Sequence, residues 1–418
     1  MLASSFDAEG SRSPSEPGPK GCYTPRPRRG YVGRGPRVGV GRTGGGGGNL
    51  STGTETRADP AIEPAGDITL ADALRARARI VDVRSPREFA EDHVPGARNV
   101  PLLADEERAV VGMLYRERGP AVARAWGEAR VVARLEPFLT ALCRALDLPG
   151  STAGAGAPRV ICCARGGERS AATAALLQSH GHRVLRLTGG YRSHRAHVRS
   201  RLASLRVPRP ILLDGLTGSG KTAVLRAIAE LHPGRVLDLE GLAGHRSSLL
   251  GDVGLAPVSQ KRFESALVAA SEGLSGPYTL IEAESRRIGD REIPAALFES
   301  MRTAPRIELV ATEAQRIAHL CEEYLTSAGV EEIIARLPGL AAYPRIGPDG
   351  VHALSALLRR GEVEEAVRVL LREHYDPRYR HGREVGEPTA SLERGSTSET
   401  ARRLVDLIES GVGASSTR

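Results

Sequence analysis

The sequence predicts an α/β protein with two parallel-sheet units in tandem and a helical C-terminal part. Three observations carry this. Short apolar runs that stop at Gly- or Pro-containing turns alternate with helical periodicity, first around residues 80–187 and again around 211–311. The second series opens on a strand, a Gly-rich loop and a helix in direct succession. Beyond about residue 315 the pattern is mainly helical. A chain of 418 residues has room for two or three domains at roughly 100–200 residues each. With 40% apolar but only 4% aromatic residues, its cores are aliphatic.

The segments follow in order. Residues 1–65 read as a disordered Gly/Pro/Arg-rich tail, with the run Gly44–Gly48 and almost no apolar periodicity. Arg26–Arg37 resembles an Arg/Gly nucleic-acid tail, although its composition favours a plain flexible extension or a start codon assigned too early. Residues 66–200 form the first unit. Its strands are Ile80–Val83, Arg159–Cys163 and Arg183–Leu187, and Arg169–His180 is a helix with Ala171, Ala174, Ala175 and Leu177 on its apolar face. Residues 201–325 form the second unit, with strands Ile211–Asp214, Val236–Leu239, Tyr278–Glu282 and Ile307–Ala311 and the helix Lys221–Leu231. Residues 326–385 are helical. Residues 386–418 read as a poorly structured tail with a terminal helix over Ala401–Glu409. There is no convincing internal repeat.

Several classes are excluded. No run approaches 18 apolar residues, so no transmembrane helix and no membrane partner is expected. No apolar N-terminal stretch marks a secretory signal. Five irregularly spaced cysteines argue against a disulfide framework and fit a reducing cytoplasm, and no Cys/His spacing suits zinc. Oligomeric state is not legible.

Two motifs carry chemistry. Cys163-Ala164-Arg165-Gly166-Gly167-Glu168-Arg169-Ser170 lies between a strand and a helix. Free N–H groups at a helix start and two glycines make an anion-binding nest. A cysteine at its mouth beside Arg165 and Arg169 should be largely thiolate, suited to nucleophilic chemistry. Cys162 alternates to the opposite face of the strand. The second motif, Gly215-Leu216-Thr217-Gly218-Ser219-Gly220-Lys221-Thr222, matches G-x-x-x-x-G-K-[ST] in the required context. Gly215, Gly218, Ser219 and Gly220 shape a phosphate cradle, Lys221 reaches a terminal phosphate, and Thr222 can ligate Mg²⁺. Glu282 and Glu284 stand where a Walker B acid would, but the Asp itself is absent, so nucleotide hydrolysis is not established.

Upstream, Asp82-Val83-Arg84-Ser85-Pro86-Arg87-Glu88-Phe89 and His93-Val94-Pro95-Gly96-Ala97 resemble the signature of the rhodanese domain. Cys163 to Arg169 is also C-x5-R, the loop length of the related dual-specificity phosphatases. Against that reading, Cys162 stands where a His is usual. The whole span from about 66 to 381 resembles the tRNA 2-selenouridine synthase family, a rhodanese domain fused to a P-loop domain. The resemblance rests on the cysteine loop, with Ala164 departing from the usual Trp, and on Pro101-Leu102, Glu107-Arg108, Val111-Gly112 and Tyr115. It continues in Gly189-Gly190-Tyr191, Asp238–Ala243 with His245-Arg246, Gln260-Lys261 with Phe263-Glu264, and Glu282, Glu284–Arg286 with Ile288-Gly289. The last match is Tyr375–Tyr379. Ser247–Leu250 depart from it where an aromatic is usual.

The resemblance implies replacement of the sulfur of wobble 2-thiouridine in tRNA by selenium from selenophosphate. It implies passage through an S-geranyl intermediate made from geranyl diphosphate. On this reading Cys163 handles selenium. Arg165, Gly166, Gly167 and Arg169 bind the anion. Gly215, Gly218, Ser219, Gly220, Lys221 and Thr222 hold diphosphate, and Glu282 or Glu284 holds Mg²⁺ or orients a group. Two other classes compete, a P-loop kinase or ATPase with a rhodanese-like module and a C-x5-R phosphatase.

Read without the resemblance, three segments have plainer explanations. Asp238–Glu240 is equally a strand end with solvated acids. Tyr375–Tyr379 is better explained as a helix-terminating turn at Pro377. Gln260-Lys261 is a solvated helix face. The charge is localised. Of the net +8, residues 1–60 supply +4 and Arg183–Arg209 supply +8, so everything else sums to −4. Arg192, Arg195 and Arg199 in that stretch are candidates for tracking tRNA phosphates.

Overall fold

The computed structural model describes residues 66–148, 157–327, 329–381 and 387–411. The expected tail over 1–65 lies outside them. The first sheet contains β1 (Asp67–Ile68), β2 (Arg79–Asp82), β3 (Arg98–Asn99), β4 (Arg159–Cys162) and β5 (Leu185–Leu187). Their order is β1-β5-β4-β2-β3, all parallel. The central strands β2 and β4 are apolar on both faces because helices cover both, as a parallel sheet requires. Val81 and Ile161 meet Phe138, Leu142, Ala174 and Leu177. Ile80, Val160 and Cys162 meet Leu70, Ala73 and Leu187 on the other side. Cys163 joins the first of these clusters, so the two adjacent cysteines diverge as alternation demands.

The second sheet contains β6 (Pro210–Asp214), β7 (Val236–Leu237) and β8 (Thr279–Glu282). After a short antiparallel hairpin of β9 (Arg287–Ile288) and β10 (Arg291–Glu292), it is completed by β11 (Arg306–Val310) and β12 (Ala390–Glu393). The order β12-β11-β6-β8-β7 is parallel throughout. Ile211 and Leu213 pack on helix Lys221–Leu231 through Val224, Leu225 and Ile228. Leu212 and Ile281 pack on the opposite layer with Phe263, Leu267 and Leu297.

Two expectations are corrected by this architecture. Residues 386–418 are not simply a poorly structured tail. Ala390–Glu393 is the edge strand of the second sheet, and helix Thr397–Glu409 buries Ala401, Leu404, Val405 and Ile408 against the strands. Apolar density is low there because an edge strand exposing alternate residues needs only one buried side chain, Leu392. Nor is Tyr375–Tyr379 a terminating turn. A π-helical turn, Leu371–Tyr375, runs directly into helix Asp376–His381. Pro377 is tolerated because the first turn of a helix needs no N–H from it. The preceding helices, Val330–Arg336, Gly347–Arg359 and Val363–Leu370, close on a separate aliphatic core of Ile333, Leu337, Leu354, Leu358 and Leu370.

Candidate functional site

Both chemical loops leave the carboxyl ends of central parallel strands, where open α/β sheets place their ligands. The cysteine loop follows β4. Cys163 is 3% exposed, and its Sγ lies 3.2 Å from Ser170 Oγ. Burial pushes this thiol up. The Ser170 hydroxyl, the N–H groups of Arg165 and Ser170 and the Arg169 charge outweigh it, so the net shift is downward. Cys162 behaves oppositely, since burial drives its thiol well up and the Asp82 charge adds to that. The loop is clamped from behind. Tyr191 N–H donates to the Cys163 carbonyl (2.9 Å) and Arg192 N–H to the Ala164 carbonyl (3.0 Å). Only glycine fits at 190, where a Cβ would lie 2.1 Å from the Cys163 carbonyl oxygen.

The upstream motif is the scaffold of this loop. Asp82 and Arg84 form a buried ion pair at 2.7 Å. Arg84 also donates to the Asp92 carbonyl (2.7 Å) and stacks over the Tyr191 ring at 3.9 Å. Glu88 receives Arg169 at 3.0 Å and Arg108 at 3.7 Å. Burial raises the Glu88 carboxyl, but Arg169 and the other donors hold it below its usual range. Arg169 is therefore already paired, contrary to a free anion-binding role. Arg165 is exposed and makes no ion pair among the described residues. It stands at the mouth with Gly166 and Gly167.

The phosphate loop follows β6. Gly215, Gly218 and Gly220 all adopt positive φ, and a Cβ at Gly215 would lie 2.5 Å from the Leu309 carbonyl oxygen. Lys221 Nζ donates to the Gly215 carbonyl (2.9 Å) and sits 3.9 Å from Glu282. Thr222 Oγ1 donates to Glu282 at 3.0 Å. Ser219 Oγ is buried without a hydrogen-bond partner among the described residues. The loop opens into a cavity of about 750 Å³ that Thr217, Lys221, Glu284, Arg286, Arg302 and Arg378 help to line.

Three carboxylates converge there. Glu240, Glu282 and Glu284 each present an oxygen within 4.8 Å of the others. Burial, then mutual repulsion, drives Glu282 well up and raises Glu284 to about 7. Glu240 is raised by burial against the Ser247 N–H, which it accepts at 2.6 Å. One ammonium cannot neutralise three acids. An oxygen-only donor set with the Thr222 hydroxyl fits a hard divalent cation such as Mg²⁺. Glu240 is the residue that sequence reasoning missed. It is buried in the site rather than solvated, while Asp238 caps helix Leu239–Ala243. The signal was its nearness to the expected metal acids, which only the pairing of β7 with β8 reveals.

The C-terminal part braces the loop. Arg316 donates to the Thr217 carbonyl (2.8 Å) and is held by Asp376 at 2.5 Å. Tyr379 hydrogen-bonds Asp214 and receives the Gly215 N–H (3.0 Å). Arg394, from the segment expected to be poorly structured, donates to the Gly218 carbonyl (3.2 Å).

The two halves meet through helices Gly190–Ala203 and Gln260–Glu272. Asp92 accepts from Tyr191 (2.8 Å) and Ser265 (2.9 Å), and Ser265 Oγ lies 3.2 Å from His194 Nε2. Lys261, though exposed, pairs with Glu91 of the first half at 2.6 Å, and Gln260 bonds the Glu292 carbonyl of its own half at 3.0 Å. Arg195 pairs with Glu264 between the two helices. The candidate stripe is thereby divided, with Arg195 turned into the interface and Arg192 and Arg199 exposed.

Known proteins share this arrangement. The profile described as "tRNA 2-selenouridine synthase AAA domain" matches residues 208–360, and the rhodanese-like domain matches 69–197. A tRNA 2-selenouridine synthase of Cupriavidus necator is 34% identical over 339 residues, covering 74% of this chain and 89% of the relative. That of Cronobacter sakazakii is 32% identical, with 72% and 86% covered. That of Salmonella enteritidis is 33% identical over 366 residues, with 79% and 96% covered. No helix among the described residues is long and apolar enough to cross a membrane.

Proposed function

The chain belongs to the tRNA 2-selenouridine synthase family, and from that premise we propose that it converts wobble 2-thiouridine in tRNA to 2-selenouridine, with selenophosphate as selenium donor and an S-geranyl intermediate made from geranyl diphosphate. The observation that carries this is the coexistence of two anion loops of different chemistry. One holds a thiol with a lowered pKa, and the other a lysine facing buried carboxylates.

In the first step the thione sulfur bonds to C1 of the geranyl group, the C1–O bond breaks, diphosphate leaves, and the N3 proton is lost. Negative charge grows on the departing oxygen. The loop amides would stabilise that charge together with Lys221, once its ammonium turns from the Gly215 carbonyl to the ligand. Glu240, Glu282 and Glu284 would hold Mg²⁺, which when bound neutralises diphosphate charge. In the second step the selenium of selenophosphate bonds to C2, the C2–S bond breaks and geranyl thiol leaves, and water then cleaves the P–Se bond, which releases phosphate and leaves 2-selenouridine. Cys163 handles selenium, while Arg165 and the amides of Gly166 and Gly167 hold the phosphate end of the donor. Ser170 favours the Cys163 thiolate and Arg169 keeps the loop in place through Glu88. Arg192 and Arg199 contact tRNA phosphates.

Incubation with 2-thiouridine tRNA and geranyl diphosphate, then with selenophosphate, tests this by nucleoside mass spectrometry. A hydrophobic nucleoside that gives way to 2-selenouridine is the expected outcome. ATP turnover without either product supports the kinase or ATPase reading instead. Phosphate release from an aryl phosphate supports the phosphatase.

A further inference from the structure

Between β3 and β4 the chain leaves the first sheet as a pair of helices, Asp105–Arg118 and Pro120–Val132. Their faces are poorly covered. The first helix has no buried residue, and the second has only Ala123. Tyr115 is 60% exposed, Val132 69%, Val122 44% and Met113 41%. The protein's single tryptophan, Trp126, lies on the same helix face as Val122 and Arg130, at i, i+4 spacing. Its ring carries the Arg130 guanidinium at 4.8 Å.

This hairpin is anchored at the cysteine loop. Arg124 pairs with Glu168 at 2.5 Å, and Arg108 reaches the Glu88 carboxylate that also holds Arg169. The exposed arginines 116, 118 and 130 make no ion pair among the described residues, and neither do Glu106, Glu117 and Glu128. The hairpin is therefore close to charge-neutral, with one aromatic ring on each helix and a guanidinium stacked on the tryptophan. Such interspersed charge is unlike the core of an interface between two copies of a chain, which is depleted of it. Aromatic and guanidinium planes are the chemistry that takes up unstacked bases of single-stranded RNA.

We propose that this helical hairpin is a base-stacking platform for the loop of the RNA stem-loop on which the cysteine site acts, with Tyr115 and Trp126 as its stacking surfaces. The proposal rests on the tRNA reading above. Because the platform works by stacking rather than by ion pairing, its removal should weaken binding without changing the salt dependence.

The single tryptophan makes the test direct. The full chain is titrated with a fluorescein-labelled tRNA anticodon stem-loop, and anisotropy and Trp126 emission are followed together. Saturable quenching that tracks the anisotropy is expected. Tyr115→Ala and Trp126→Ala should each weaken binding about ten-fold, with an unchanged slope of log Kd against log salt, and Tyr115→Phe should restore it. The exposure of Tyr115 keeps its replacement from disturbing the fold. The proposal is overturned if anisotropy saturates while Trp126 emission stays constant and Tyr115→Ala binds like the parent chain. An emission change on raising protein concentration without RNA, together with dimer sedimentation, overturns it in favour of a second copy. No binding of RNA by the parent chain overturns the tRNA reading and this platform with it.

Discussion

The cysteine loop and the phosphate loop are built alike and charged in opposite senses. Each follows a central parallel strand and opens a helix, and each needs glycine where the backbone is crowded. Around Cys163 the hydroxyl, amides and Arg169 favour an anion against the cost of burial, so the thiol shifts down. Around Lys221 burial, and after it the repulsion of neighbouring carboxylates, shifts the three acids up. One site is prepared to carry negative charge on its own atom. The other gathers three acids whose ionisation is disfavoured until a cation balances them. Shared topology therefore supplies the position of a site, and the second layer of side chains decides what it does.

Exchanging the roles should break this contrast first. Cys163→Ser is expected to lower selenium incorporation by at least about 10³-fold and leave geranylation intact. Lys221→Ala should cost geranylation about 10²–10³-fold, and with it 2-selenouridine made from 2-thiouridine, while pre-formed S-geranyl-2-thiouridine tRNA should still be converted. Nucleoside mass spectrometry separates the two products, and loss of geranylation in Cys163→Ser, or failure of Lys221→Ala to convert pre-formed S-geranyl-2-thiouridine tRNA, would contradict separate sites.

The carboxylates give a smaller and pH-dependent effect. Glu284 titrates at about 7 in the folded chain against 4.5 ordinarily. Between these values the folded state keeps a proton that the unfolded state has released. Its contribution to stability is thus full below about pH 4.5 and lost as pH rises through 7. The metal-free protein should melt at lower temperature at pH 8 than at pH 5.5, and Mg²⁺ should restore more at pH 8. Calorimetry with and without Mg²⁺ checks this. Glu240→Gln should weaken Mg²⁺ binding about ten-fold or more, read by titration calorimetry.

The thiol sharpens the other half. Ser170→Ala removes a hydroxyl that favours the thiolate, so the pH profile of Cys163 alkylation should move to higher pH, while Cys162 stays inert. The smallest effect concerns the arginine stripe. Arg195→Ala should cost roughly 1–2 kcal/mol of stability, seen as a lower denaturant midpoint, because it breaks the pair with Glu264. It should leave the salt slope of tRNA binding unchanged, whereas Arg192→Ala and Arg199→Ala should flatten it.

Much of this was legible in the residues because the signals are local. Ile80–Val83 and Ile211–Asp214 read as buried strands from their own composition, and the loops at 163–170 and 215–222 declare their context within a dozen residues. Partnership between distant segments was not legible. Nothing near Glu240 says that it will face Glu282. Nothing near Arg195 says that its partner is Glu264, 69 residues away. Ala390–Glu393 exposes three of its four residues at least partly, so it joins the sheet through backbone hydrogen bonds that leave almost no trace in composition.

The sequence by itself determined two parallel α/β units, the cysteine loop and the glycine-rich loop at their strand ends, and the location of the basic charge. These follow from short-range periodicity and from spacing within single loops. Only the tertiary structure decided which charges are free. It paired Arg169 and Arg195, buried Glu240 beside Glu282 and Glu284, and brought Arg394 onto the phosphate loop. The physical reason is that an electrostatic role depends on neighbours and burial, and both are set by chain segments far apart in sequence.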